Sequence, residues 1–137
     1  PMMVVLYPGH PLAKKRAIAL EDLKDEPLLL ATNPRGLDYD VAKVLSEASF
    51  TPRIEATSNL DHIIFSMVQH HLGISIEAAL MLTDKENAAV LRPFDPPQSR
   101  RLVMAARSFR TLSPAANQFV SHTKAALRKM EPDRILF

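Results

Sequence analysis

The stretch SNLDHIIFSMVQHHLGISI, Ser58 to Ile76, decides how the chain is read. Leu60, Ile63, Ile64, Met67, Val68 and Leu72 recur at helical spacing, so one face is apolar. Asp61, His62, Gln69 and His70 interrupt that pattern as a wetter face does. Ser58 or Asn59 is expected to cap the start, because a short polar side chain can accept from the free N–H groups of the first turn. Gly73 is expected to close the helix in a left-handed conformation. Ile74-Ser75-Ile76 then alternates like a strand, and Arg53 to Thr57 upstream does the same. Two strands joined by a helix are predicted to be parallel, with a right-handed crossover.

The same grammar extends outward. Met3 to Tyr7 reads as a strand, followed by a turn at Pro8-Gly9-His10-Pro11. Leu20 to Leu23 reads as a helical turn that Pro27 ends. Leu28-Leu29-Leu30-Ala31 is wholly apolar, the type buried on both faces of a parallel sheet. Thr32 to Gly36 reads as a loop, and Asp38 to Ser49 as a helix burying Val41, Val44, Leu45 and Ala48. Glu77 to Leu82 suggests a short helix, Asp84 to Asn87 a polar loop, Val90 to Phe94 a strand and Asp95 to Ser99 a turn. Arg101 to Arg107 alternates and is predicted to be a strand. Ser113-Pro114 opens a last helix, since Ser caps and Pro suits the first helical position. That helix is expected to bury Ala115, Phe119, Val120, Thr123 and Leu127, ahead of a frayed tail from Glu131. Strands alternating with helices make the class α/β.

Composition excludes several functions. The 137 residues suffice for one domain with a modest core. There is no cysteine, which excludes disulfides and thiolate metal sites. No apolar run is long enough to span a membrane, and the start lacks the basic segment and cleavage site of a signal peptide. The net charge of +2 is mild, and Lys14-Lys15-Arg16 and Arg100-Arg101 read as solvated surface, without interleaved aromatic rings that would stack on bases. Three glycines, at 9, 36 and 73, are too dispersed for a phosphate loop. His62 and His70 are about two turns apart on one helix, too far to share an ion, and His70 and His71 point to different faces. Glu77 could serve as a general base, but no acid or nucleophile accompanies it, so a polar rim residue is the preferred reading. No catalytic, metal or cofactor site is predicted.

In open α/β sheets, ligands sit beyond the carboxyl ends of strands, beside helix starts. Thr32-Asn33 and Ser58-Asn59 occupy two such places, where short polar side chains and free N–H groups can hold an anion or carboxylate. The alternative is plain capping with no ligand.

The order of motifs resembles the effector-binding domain of LysR-type transcriptional regulators. The resemblance rests on His10-Pro11-Leu12-Ala13, on Ile18-x-Leu20-x-Asp22-Leu23-x-Asp25-Glu26-Pro27, on Met67-Val68 leading to Leu72-Gly73-Ile74-Ser75, and on Leu112-Ser113-Pro114-Ala115-Ala116. It spans residues 4 to 127. It implies a fold like a periplasmic binding protein, with two α/β lobes joined by two crossing strands. A small metabolite, a carboxylate among the candidates, would bind in the cleft between lobes and shift the arrangement of a homodimer. A separate N-terminal helix-turn-helix would contact DNA.

Carried over by position, 1–137 is a partial effector-binding domain. Residues 11–100 are expected to form the second lobe, 3–7 and 102–107 the crossing strands, and 113–128 a helix returning to the first lobe. The DNA-binding domain and most of the first lobe are expected outside the chain. Thr32, Asn33, Ser58 and Asn59 fall where that lobe faces the cleft. Glu77-Ala78-Ala79 stands where family members often carry an apolar residue and Pro, and Glu77 would oppose a nearby anion. The expected role is ligand sensing in the bacterial cytoplasm, without catalysis. A solute-binding lobe of a transport system is the alternative.

Overall fold

A computed structural model describes residues 1–82 and 89–129. The expected loop at 84–87 and the tail from 131 lie outside the described residues. Two compact units divide the chain, residues 1–100 and 101–137.

The first unit holds two three-stranded sheets, joined by an isolated bridge, with helices packed on opposite faces. Its strands are β1 (Met2–Leu6), β2 (Leu28–Asn33), β3 (Gly36–Leu37), β4 (Ile54–Ser58), β5 (Ser75–Ala78) and β6 (Val90–Pro93). Its helices are α1 (Tyr39–Ser46) and α2 (Asp61–Gln69). β1 lies between β5 and β6, antiparallel to both, with Val4 opposite Ile76 and Arg92. β4 runs parallel to β2 on one side. On the other side, Leu28 bridges Ile74 in parallel, which brings β5 alongside β2. The two strands flanking α2 are therefore parallel, as predicted, but β2 stands between them.

The pleat sorts side chains to opposite faces. Met2, Val4 and Leu6 of β1 join Leu28, Leu30, Ile76 and Ala78 in a cluster that α1 covers with Val41, Val44 and Leu45. Val5 and Leu29 point the other way and pack with Ile64, Phe65 and Val68 of α2. Leu28, Leu29 and Leu30 are fully buried, which accounts for the unbroken apolar run. Each such side chain contributes about 1.5–3 kcal/mol relative to remaining exposed.

His10 supports this unit from its turn. Its Nδ1 accepts from the Leu12 N–H at 3.1 Å, so the ring proton belongs on Nε2, which faces Glu26 Oε2 at 3.3 Å. Arg92 on β6 donates to the carbonyls of Ala13 and Lys15, tying the following 3-10 turn, Pro11–Lys14, to the sheet.

Several expectations are corrected. α1 ends at Ser46, short of Ser49. The interval from Glu77 continues as strand to Ala78 before a 3-10 turn at Ala79–Met81. Thr32 to Gly36 is a hairpin, because Thr32 and Asn33 pair with Leu37 and Gly36 of β3. α2 buries Ile64, Phe65 and Val68, whereas Leu60, Ile63 and Leu72 are exposed. Its buried face is turned toward Phe65. Gly73 does not adopt the left-handed conformation; His71 does, with φ 61°. Gly73 is instead a point of close approach, where an added Cβ would lie 2.3 Å from the Pro27 carbonyl oxygen.

In the second unit, residues 101–106 form no strand. Alternation makes a strand only where a neighbour completes the ladder, and among the described residues none does. A 3-10 turn at Phe109–Thr111 precedes α3 (Pro114–Leu127). Ser113 caps α3 by accepting from the Ala116 N–H, as predicted. The expected burial of Ala115, Phe119, Val120, Thr123 and Leu127 is not found. Ala115 and Phe119 are exposed, while Leu112, Ala116, Val120, Thr123 and Leu127 form a half-buried stripe.

Candidate functional site: a pocket at the strand ends

A cavity of about 140 Å³ opens where the carboxyl ends of β2 and β5 meet the starts of α1 and α2. Ala31 and Thr32 come from β2, and Glu77 and Ala78 from β5. Asp38 and Val41 come from the start of α1, and Asp61 from the first turn of α2. Met2, Met81 and Arg100 complete the lining. This is the position where open α/β sheets hold ligands, because strand ends and helix starts leave backbone groups and short side chains facing one crevice.

Asp38 organises one wall. Its Oδ1 accepts from the backbone N–H groups of Asp40 and Val41, which caps α1. Its Oδ2 accepts from Arg100 Nη2 at 2.6 Å. Arg100 Nε donates to Asp40 Oδ2 at 2.5 Å. The hydrogen bond to Asp40 raises the Arg100 pKa; burial opposes it, and the charge of Asp38 and its hydrogen bond add to the rise. Arg100 therefore stays charged. Glu77 is buried, at 6% exposure, beside Ser75 on the same strand. Among the described residues, no three His, Asp or Glu side chains come together to hold a metal ion.

The predicted site residues fall into two groups. Thr32 lines the cavity. Asn33 is exposed, and its Oδ1 accepts from the Arg35 N–H at 2.9 Å, shaping the hairpin. Ser58 and Asn59 do not cap α2, whose N-cap is Leu60 with no side-chain bond. Ser58 Oγ accepts from the Leu60 N–H at 3.1 Å, which makes a local turn. β4 extends through Ser58, so the helix begins too late for either residue to reach its first turn. Asp61, three residues after Ser58, brings this segment to the cavity.

Sequence reasoning missed Asp38, Asp61 and Arg100. Asp38 carried a usable signal, an acidic residue just ahead of an apolar helical pattern. Asp61 read as part of a wet helix face, and Arg100 as half of a surface charge pair. Their convergence depends on long-range folding.

A doubly wound lobe with a pocket at its strand ends is the architecture of a ligand-binding module. The chain belongs to the LysR substrate binding domain family, whose model matches residues 1–128. It is 31% identical over 128 residues to the uncharacterized HTH-type transcriptional regulator YwbI of Bacillus subtilis, covering 92% of this chain and 42% of that protein. The chain thus spans about two fifths of that relative's length. In structure it is similar to the Synechocystis CcmR regulatory domain in complex with 2-PG, with a TM-score of 0.76 at 20% identity, covering 95% of this chain and 64% of that one. It is likewise similar to the effector binding domain of QuiR in complex with shikimate, with a TM-score of 0.69 at 22% identity, covering 95% and 63%. These neighbours establish the periplasmic-binding-protein-like fold.

Proposed function

We propose that this chain is the ligand-sensing part of a bacterial LysR-type transcriptional regulator, and that its pocket holds one side of a small-molecule effector. The observation that carries the reading is the cavity between the ends of β2 and β5, in a chain of the LysR substrate binding domain family. The effector-bound domains of CcmR and QuiR support it by analogy of fold. That the similar full-length proteins are transcriptional regulators disfavours a transport role.

The effector binds between this lobe and a second one. A ligand that prefers one lobe arrangement shifts the population toward it. The shift is passed through a homodimer to a helix-turn-helix elsewhere in the polypeptide, which contacts DNA in the cytoplasm. Residues 102–107 act as the segment that crosses to the first lobe, and α3 docks on that lobe. No bond is made or broken. Thr32 contributes its hydroxyl to the ligand, while Asn33, Ser58 and Asn59 shape the rim.

A thermal-shift screen of small carboxylates, amino acids and aromatic acids tests this. An effector at a hundred times its Kd stabilises the folded state by about 2.7 kcal/mol, a shift of several degrees. The shift should vanish in Thr32→Ala/Asp61→Ala and persist largely in Ser58→Ala/Asn59→Ala. A hit with equal shifts in all three proteins would move the effector away from this pocket.

A further inference from the structure

Residues 95–100 end the first unit, and a series of contacts fastens them to it, finishing at Arg100. The Asp95 N–H donates to the Ile18 carbonyl at 2.9 Å, and the Gln98 carbonyl accepts from the Met2 N–H at 2.8 Å. Beyond that point the hold passes to side chains. Gln98 Nε2 donates at 3.0 Å to Oε2 of Glu47, the residue that closes α1. Arg100 reaches the other end of α1, with Nη2 on Asp38 and Nε on Asp40. The segment therefore runs along α1, opposite to it in direction, and grips both ends of the helix.

The grip at Arg100 differs from an ordinary surface ion pair. Arg53 pairs with Glu55 two residues away, but the Arg53 side chain is 62% exposed, so that pair holds little. The Arg100 side chain is 27% exposed, and its planar fork spans two carboxylates at once. Both carboxylates are placed beforehand. Asp38 is fixed by the capping bonds to its Oδ1, and Asp40 stands in the first turn of α1. Docking the guanidinium therefore orders little beyond Arg100 itself. A lysine there would bring a point charge on a flexible stem, which has no comparable two-pronged fit.

We propose that Arg100 is a positioning residue, a clamp that makes α1 and the chain end at residues 98–100 one rigid body. What the clamp does for sensing rests on the effector-site reading above. Asp38, Val41 and Arg100 all line the pocket, so an effector that displaces the start of α1 carries the clamped segment with it. Without the clamp, the same displacement is absorbed in a loose chain end.

Nitrogen-15 relaxation of the isotopically labelled chain, with no ligand added, tests the clamp. In the wild type, the amides of Ser99 and Arg100 should have order parameters of about 0.85, like those of α1. In Arg100→Gln the amides at 99 and 100 should fall below about 0.6, while those of α1 stay as they were. The melting temperature should drop by no more than about 5 °C, so the loosening is local and not a general loss of stability. Arg100→Lys keeps the charge and should loosen the same two amides. Equal order parameters in wild type and Arg100→Gln would overturn the proposal. Wild-type values in Arg100→Lys would overturn it as well, since a point charge would then suffice. No ligand enters this experiment, so its failure leaves the effector-site reading standing, and failure of the ligand screen leaves the clamp standing.

Discussion

Asp38 Oδ2 accepts from Arg100 Nη2 at 2.6 Å across 62 residues of sequence. The same carboxylate caps α1 with its other oxygen. One side chain therefore ties the start of a helix to the last residue of the first unit.

Asp38→Ala removes both contacts. Loss of the cap costs about 1 kcal/mol, and the ion pair, roughly a quarter exposed, adds less than about 1 kcal/mol. Thermal denaturation should show a melting temperature lower by roughly 5 °C. Asp38→Asn keeps the cap and should recover about half of that loss. Because the folded-state pKa of Arg100 is raised, its stabilising contribution is complete at neutral pH and is lost only as pH climbs through the guanidinium's own ionisation. Added salt should narrow the gap between wild type and Asp38→Asn, whereas pH in the neutral range should leave the Arg100 contribution unchanged.

Gly73→Ala places a methyl group 2.3 Å from the Pro27 carbonyl oxygen and 3.0 Å from Leu29 Cγ. That carbonyl accepts the Ile74 N–H at 2.9 Å, so it cannot retreat without breaking the bridge between β2 and the start of β5. The cost should be about 3 kcal/mol. A urea midpoint close to that of wild type would show that the backbone yields there.

His10→Ala deletes a buried ring that bonds the Leu12 N–H and faces Glu26. It also removes an edge contact with Tyr7, whose ring centroid lies 4.8 Å away. A loss of about 2 kcal/mol is expected from urea unfolding. Glu26→Gln should cost less, since the amide oxygen can still accept from Nε2.

α2 offers the opposite kind of change. Leu60 is its N-cap, is 47% exposed, and makes no capping bond. Leu60→Ser supplies an acceptor to the first turn and should raise stability by about 0.5–1 kcal/mol. A lower melting temperature would mean that the exposed part of Leu60 is covered in solution.

The fold was legible in the sequence where periodicity and burial agree. Leu28 to Leu30 reads as a doubly covered strand because both sheet faces carry helices, and Ser113-Pro114 opens α3 because capping is local chemistry. Local patterns failed where a distant partner decides. Gly73 looks like a helix terminator, yet its neighbour across the sheet, Pro27, is what requires glycine. Residues 101–106 alternate, yet among the described residues no strand pairs with them. Of the pocket, Thr32 was legible as the end of an apolar strand. Arg100 was not, since only the folded chain brings it to Asp38.

The central claim is that the ends of β2 and β5 hold the effector. A crystal structure of this chain with the metabolite that most raises its melting temperature tests it directly. Ligand density in contact with Thr32, Asp61 and Glu77 is the predicted result. Density elsewhere, touching none of the three, would contradict the account.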